Sequence, residues 1–331
     1  MSLTLLIGEK SKKMRVLLTR TLQDFAIKEL KKHYKIEIYS GPFPIPKRKL
    51  LLKIKGQDGL ICFPYDNIDK EVIKAGTKLK TISAFSVGYD QIDSKYAKKR
   101  KIKIGYTPNV LTVATADLTI TLILDLLRRV TEGDRLIREG KWKEVFGADT
   151  YVGEELDGKI LGILGLGRIG KAVAKKAQIF GFKVIYHNRN RLSIRQEKAL
   201  RVRYVTLKEL FSKSDIVSIH VPYTAETHEL INKSLIKRMK KRSFLINTAR
   251  GKIINERDLI FSLKRKIIAG AALDVFYHEP IGKNHQLTRM QNVVLSPHLG
   301  SSSIETRAKM AELTVENLKL GLAGKKPIYS V

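Results

Sequence analysis

Short apolar runs alternate with stretches of helical spacing along most of the chain. The runs 15–19, 36–39, 59–63 and 79–83 have strand length, and 24–33 between the first two has the spacing of a helix with one apolar face. Gly41-Pro42-Phe43-Pro44-Ile45-Pro46 reads as a loop, because proline cannot donate to a sheet ladder. A long apolar helix is expected over 112–129. A second starts at Thr131, with Asp134 three residues on in the pattern of a capping box, and ends at Gly140. The strand–helix rhythm then resumes with runs at 160–164, 184–186, 216–220, 244–247, 268–273 and 293–295, followed by a last helix over 304–322. Strands separated by helices predict parallel sheets covered on both faces, and the six later strands make a complete doubly wound domain. The fold class is therefore α/β, with two doubly wound parallel-sheet domains.

One of these strand–helix junctions carries specific chemistry. Gly165-Leu166-Gly167-Arg168-Ile169-Gly170 follows the strand 160–164 and opens a helix that Gly181 stops. Gly165 permits the tight turn, Gly167 lets the backbone approach a pyrophosphate, and Gly170 lets helix and strand pack closely. The start of the helix then faces the phosphates with unpaired N–H groups, and Arg168 adds a cation there. Versions of this loop that bind NAD place an acid about 20 residues after the first glycine, on the ribose 2′-hydroxyl. Here that region reads Asn188-Arg189-Asn190-Arg191, and no acid lies between Gly181 and Gln196. Arginines suit a 2′-phosphate that a carboxylate would repel, and Arg189 is the best placed to form the fork. NADP is the expected cofactor, with NAD as an allowed second.

Three later strands each end in a polar cluster: Asn247-Thr248-Ala249-Arg250-Gly251, Asp274-Val275-Phe276-Tyr277-His278-Glu279, and Ser296-Pro297-His298-Leu299-Gly300-Ser301. In open α/β sheets ligands bind at that edge. These clusters, the glycine loop and Ser86-Val87-Gly88-Tyr89-Asp90, in this order and over about 14–324, resemble the D-isomer-specific 2-hydroxyacid dehydrogenases. The segment 106–112 with Ala116-Asp117-Leu118 is most similar to the glyoxylate/hydroxypyruvate reductases of that family. The resemblance implies a Rossmann cofactor domain over 108–298, inserted into a discontinuous flavodoxin-like substrate domain of 1–107 and 299–331, with a cleft that closes over cofactor and keto acid. His298 would be the general acid and base, Glu279 its carboxylate partner, and Arg250 the clamp on substrate carboxylate and carbonyl. Val87 and Gly88 would offer amides to the carboxylate, and Asp274 would accept from the nicotinamide carboxamide. Further cofactor contacts are expected at Ile169, Asn190, Val221, Pro222, Thr227, Thr248 and Gly300, and the family's usual assembly is a homodimer. Two departures stand out: Gln286 where relatives usually carry proline, and Val145-Phe146-Gly147 where reductases often place further tryptophan.

Composition adds limits. At about 150 residues per domain, 331 residues make two domains. The 43% hydrophobic content excludes a largely disordered chain. The most apolar stretch, 118–127, is broken by Asp125 and two threonines, and none approaches the ~20 residues of a membrane span. The run Leu3-Thr4-Leu5-Leu6-Ile7 is too short for a signal-peptide core, and Met1-Ser2-Leu3 reads as an expression remnant. The lone Cys62 allows no intrachain disulfide and no cysteine metal site, which points to a reducing, cytoplasmic setting without a metal. Against 32 acidic residues stand 63 basic ones, a net charge of +31. Arg168, Arg189, Arg191 and Arg250 account for a few of these cations. Runs such as 98–101 and 237–242 read as solvated faces that steer anions. No helix-turn-helix, zinc-finger or aromatic-interleaved basic motif is present, so the expected partner is a small 2-keto or 2-hydroxy acid and not nucleic acid. The rival readings are a reductase of larger or phosphorylated 2-keto acids and, in a different class, a nucleotide-sensing transcriptional co-repressor.

Overall fold

The computed structural model describes residues 13–331, so the two N-terminal runs discussed above lie outside it. The chain forms two compact units: the described residues up to Val110 with Ile304–Val331, and Leu111–Ser303. The divisions fall at 110/111 and 303/304, against the 107/108 and 298/299 expected from the sequence.

In the first unit β1 (Arg15–Leu18), β2 (Lys35–Ile38), β3 (Gly59–Cys62), β4 (Thr81–Ala84) and β5 (Lys103–Gly105) form one parallel sheet in the order β2-β1-β3-β4-β5, a flavodoxin-like winding. Leu60 sits opposite both Leu17 and Ile82. Every position of β3 and β4 is buried, which is why these strands read as unbroken apolar runs without alternation. Helices α1 (Asp24–His33), α2 (Lys47–Lys53), α3 (Lys70–Ala75) and α4 (Ser94–Lys99) connect the strands. Asp69 and Asp93 cap the last two, each accepting from backbone N–H groups of the first turn.

The second unit opens with α5 (Thr112–Arg128) and α6 (Val130–Arg138). Then come β6 (Ile160–Leu164), α7 (Arg168–Ile179), β7 (Lys183–His187), α8 (Ile194–Leu200), β8 (Val202–Tyr204), α9 (Leu207–Lys213) and β9 (Ile216–Ile219). It closes with α10 (Lys233–Ile236), β10 (Phe244–Asn247), α11 (Glu256–Lys264), β11 (Gly270–Leu273) and β12 (Val293–Leu295). All seven strands run parallel, in the order β12-β11-β10-β9-β6-β7-β8. The winding reverses between β6 and β9, and the glycine loop leaves β6 at that switch point. The sheet has one strand more than the sequence pattern predicts, the three-residue β8 at its edge. A second correction concerns α6. Thr131 does not form a capping box with Asp134. Its amide and hydroxyl both donate to Asp125 of α5, Arg129 turns the chain in the left-handed region (φ 58°), and Asp134 pairs with Arg138. An acid one turn back outcompetes the local cap.

The last helix, α12 (Ile304–Leu322), returns to the first sheet. It lies so close that a Cβ on Gly105 would come within 2.6 Å of Asn317, and one on Gly321 within 2.2 Å of Thr81. Ser83 Oγ donates to the Thr314 carbonyl (2.8 Å) and Asn317 Nδ2 to that of Tyr106 (3.0 Å), fixing the helix register on the sheet.

Candidate active site and dinucleotide site

At the switch point the three glycines of the loop meet three different constraints. Gly165 has φ +99°, and a Cβ there would come within 2.7 Å of Val221 N. A Cβ on Gly170 would come within 2.4 Å of the Gly165 carbonyl, so helix and strand pack backbone to backbone. A Cβ on Gly167 meets nothing within 4 Å. Of the three, Gly167 alone is open, and it sits over the start of α7, whose N-terminus receives no side-chain cap. Open backbone before uncapped N–H groups fits a dinucleotide pyrophosphate. Ile169 packs partly into the core behind the loop, and Arg168 is exposed.

The residues expected around the ribose take different tasks. Asn188 Oδ1 accepts from Leu166 N (2.6 Å), so it shapes the glycine loop, and its amide nitrogen is a further donor. Arg189 and Asn190 are exposed beyond it. Arg191 has a partner of its own. Its Nε and Nη2 both donate to Glu197 of α8 (2.7 and 2.8 Å), so two of the three guanidinium nitrogens are already committed. That acid lies one residue beyond Gln196, just past the stretch that carries none. Glu197 is buried, also accepts from the Tyr186 hydroxyl (2.8 Å), and is held down to about 2 chiefly by its bond from Arg191. A carboxyl with an ordinary value of 4.5 that folding lowers to about 2 stabilises the fold above pH 4.5 and loses that contribution as pH falls toward 2.

On the other side of the loop, Thr227 is occupied within its own turn, accepting from Thr224 N and donating to the Pro222 carbonyl (both 2.8 Å). His220, before Val221, binds Ser218 through Nε2 (2.8 Å), and burial lowers it to about 3, so it stays neutral. The Thr248 hydroxyl meets that of Thr119 on α5 (3.0 Å).

The three catalytic candidates follow neighbouring strands of the sheet, β10, β11 and β12. The buried Asn247 at the end of β10 accepts from Ala249 N (3.0 Å) and donates to the Arg250 carbonyl (2.9 Å), closing the turn that presents Arg250. Gly251 then runs against the backbone of Phe276, which carries the Glu279 turn. Glu279 Oε1 accepts from Phe276 N (2.8 Å), and Oε2 lies 2.8 Å from His298 Nδ1. An ionised Glu279 can only accept, so the bond places a proton on Nδ1. His298 itself sits at φ +56°, in the left-handed region. Asp274 imposes this conformation. Fully buried, its carboxylate accepts from Ser296 Oγ (2.5 Å), Leu299 N (2.7 Å) and Gly300 N (2.9 Å), while its carbonyl accepts from His298 N (2.9 Å). Burial raises its pKa, and these donors together with His298 oppose the rise. Asp274, expected to face the carboxamide, is thus first the anchor of the His298 loop. Thr115 Oγ1 pins the same loop through the Gly300 carbonyl (2.9 Å).

Val87 and Gly88 belong to the first unit, in the loop after β4. Ser86 Oγ donates to the Gly88 carbonyl (2.6 Å), and Thr107 N donates to that of Ser86 (2.8 Å). Among the described residues, no group of three or more His, Cys, Asp or Glu is placed to hold a metal, and no helix is long and apolar enough to cross a membrane.

Comparison with known proteins gives a consistent neighbourhood. Residues 120–300 match the family model for the D-isomer specific 2-hydroxyacid dehydrogenase, NAD binding domain. A glyoxylate reductase of Korarchaeum cryptofilum is 42% identical over 318 residues, covering 95% of each chain. One of Thermofilum pendens is 43% identical over 314 residues, covering 95% of this chain and 93% of its own. Among solved structures, a Thermus thermophilus protein superposes with TM-score 0.89 at 41% identity, covering 96% of this chain and 100% of that one. An NADPH-dependent glyoxylate/hydroxypyruvate reductase of Sinorhizobium meliloti, in complex with NADP and malonate, superposes with TM-score 0.84 at 29% identity, covering 96% and 97%.

Proposed function

The chain belongs to the D-isomer-specific 2-hydroxyacid dehydrogenases, and from that premise we propose that it reduces glyoxylate or hydroxypyruvate to the 2-hydroxy acid, of D configuration where a stereocentre forms, with NADPH preferred over NADH. The observation that carries the chemistry is the 2.8 Å contact of Glu279 with His298 Nδ1. A carboxylate there stabilises imidazolium and orients the ring, so Nε2 delivers its proton to the keto oxygen as the carbon is reduced. His298 is left neutral, its remaining proton still on Nδ1 and hydrogen-bonded to Glu279, and in the reverse direction Nε2 takes the hydroxyl proton back. The bound reduced nicotinamide supplies the hydride. Arg250 forks the substrate carboxylate and stabilises charge developing on the oxygen.

The cofactor preference rests on the donors and cations of residues 188–191 in a loop without an acid. Arg189→Ala is expected to raise the KM for NADPH about tenfold or more, the scale of a charge-assisted bond, and to leave that for NADH within about twofold. The deciding measurement is a rate panel of glyoxylate, hydroxypyruvate, pyruvate and phosphohydroxypyruvate, each with both cofactors. Fastest turnover of phosphohydroxypyruvate would favour the phosphorylated-substrate reading. No turnover at all, with salt-resistant DNA binding, would favour the co-repressor.

We also assign a homodimer. No residue of α6 is buried, and Val130, Ile137, Trp142, Val145, Phe146 and Val152 are all exposed. Residues 139–157 carry six acids and two lysines in a chain of net +31. The same unit has a groove of about 870 Å³ lined by Leu126, Leu263 and Val293 together with Arg135, Lys241, Lys264 and Arg289. The arm's Val152 and Glu154 already line that groove, with Glu154 paired to Lys159 and Arg242, so the surface offered to a second copy is the exposed apolar set at Val130, Ile137, Trp142, Val145 and Phe146. Light scattering should give twice the 37.5 kDa chain mass, and Val145→Asp with Phe146→Asp should shift it toward the monomer. A wild-type monomer at micromolar concentration would refute the assignment.

A further inference from the structure

Glu197 has no place in the reaction described above, yet it is a buried carboxylate on a helix that borders the expected ribose site. Its surroundings form one connected device. Tyr186, fully buried at the end of β7, donates its hydroxyl to Glu197 (2.8 Å) and accepts from Leu192 N (2.9 Å), which pins the far end of the loop 188–192. Glu197 then holds Arg191 through Nε and Nη2 (2.7 and 2.8 Å), and the guanidinium lies over the Tyr204 ring, 5.4 Å from its centroid. Tyr204 in turn packs edge-on against Tyr186 at 5.6 Å. The near end of the loop is fixed by Asn188 on Leu166 N. The Ser193–Gln196 capping box sets the start of α8, which carries Glu197.

We propose that Glu197 is a positioning residue for cofactor selection: it holds Arg191, and with Tyr186 the whole 188–192 loop, in the geometry that receives a 2′-phosphate. The inference rests on the NADP(H) reading above and adds to it the group that organises the arginines. A long arginine side chain on an open loop samples many rotamers, and ordering it on binding costs affinity. A bidentate carboxylate and an aromatic shelf meet that cost beforehand. Two guanidinium nitrogens are spent on Glu197, and Nη1 keeps its two N–H donors for phosphate. The carboxylate removes one positive charge locally, but Arg189 keeps the loop cationic.

The test is cofactor titration by nicotinamide fluorescence with the full-length protein, wild type against Glu197→Gln, with Arg191→Ala and the double variant to close a cycle. Glu197→Gln is expected to weaken NADPH about tenfold and NADH less than twofold, so the ratio of the two constants collapses. Arg191→Ala added to Glu197→Gln should change that ratio little, because both act through one element. A purely structural role would move the melting temperature and both cofactors alike. A wild-type preference for NADPH that survives Glu197→Gln, or grows, overturns the inference while leaving the NADP(H) reading intact. A wild type that binds NADH as tightly as NADPH overturns the reading itself, and the inference with it. If Glu197→Gln does not fold, Glu197→Asp answers the same question: it keeps the charge but cannot span both nitrogens, and an unchanged ratio there counts equally against the proposal.

Discussion

His298→Asn is expected to lower kcat by about 10²–10⁴-fold while NADPH affinity stays within about twofold. The choice of asparagine follows from the backbone. His298 sits at φ +56°, and asparagine is among the few residues that accept this region readily, so the loop keeps its shape. The Ser296, Leu299 and Gly300 bonds to Asp274 do not involve the imidazole and persist. What is lost is the proton held opposite Glu279. An asparagine amide can donate a hydrogen bond but cannot transfer a proton to an alkoxide at neutral pH. Single-turnover kinetics with glyoxylate, alongside fluorescence titration of NADPH, separate the two effects. Turnover near the wild-type rate would remove His298 from the mechanism.

Gly251→Ala should be nearly as damaging, for a reason visible only in three dimensions. The added Cβ would lie 1.9 Å from the Phe276 carbonyl carbon and 2.5 Å from Tyr277 N. These are backbone atoms and cannot rotate away. Phe276 N is the donor that holds Glu279 Oε1, so moving this strand of chain displaces the carboxylate that orients His298. A misplacement on the order of 1 Å can cost about 10²-fold in rate, and that loss of kcat/KM is the expectation. Overpacking adds about 1–3 kcal/mol of destabilisation, or roughly 1–4 °C in Tm at this chain length. Gly282→Ala is the control: it lies three residues beyond Glu279, and its Cβ meets nothing within 4 Å. It should leave stability within about 0.5 kcal/mol. A Gly251→Ala enzyme with wild-type kinetics and melting would show that the turn yields and that the close backbone approach is not a constraint.

The parts of this protein that could be read from its sequence are those where burial on both faces writes a continuous apolar run. β3, β4, β9, β10 and β11 are buried at every position and stand out accordingly. The elements that escaped notice are short and basic. β5 is Lys103-Ile104-Gly105 and β8 is Val202-Arg203-Tyr204, both edge strands, where charge is tolerated and apolar periodicity has no room to show. The residues after β10, β11 and β12 were legible because the rule about strand ends is topological and needs no distances. Glu197 was not. Its meaning depends on α8 folding back beneath the 188–192 loop, and a helix acid six residues from an arginine carries no local signal of that. The one sign of it is structural: the hydroxyl of the buried Tyr186 needs a partner, and Glu197 supplies it.

The close seat of α12 on the first sheet also bears on how the protein is made. Ser83 and Thr314, which bond across that interface, are 231 residues apart in the chain, and Tyr106 and Asn317 are 211 apart. A ribosome adding about 5–20 residues per second emits β1–β5 on the order of ten to fifty seconds before the helix that covers them. During that interval the small residues Gly59, Thr81 and Gly105, which admit α12, face no partner. The inserted unit, by contrast, is continuous in sequence and can close as soon as β12 emerges. Synthesis therefore imposes an order in which the middle of the chain matures first. The N-terminal sheet meanwhile stays open on one face, where a nascent-chain chaperone would be expected to engage it.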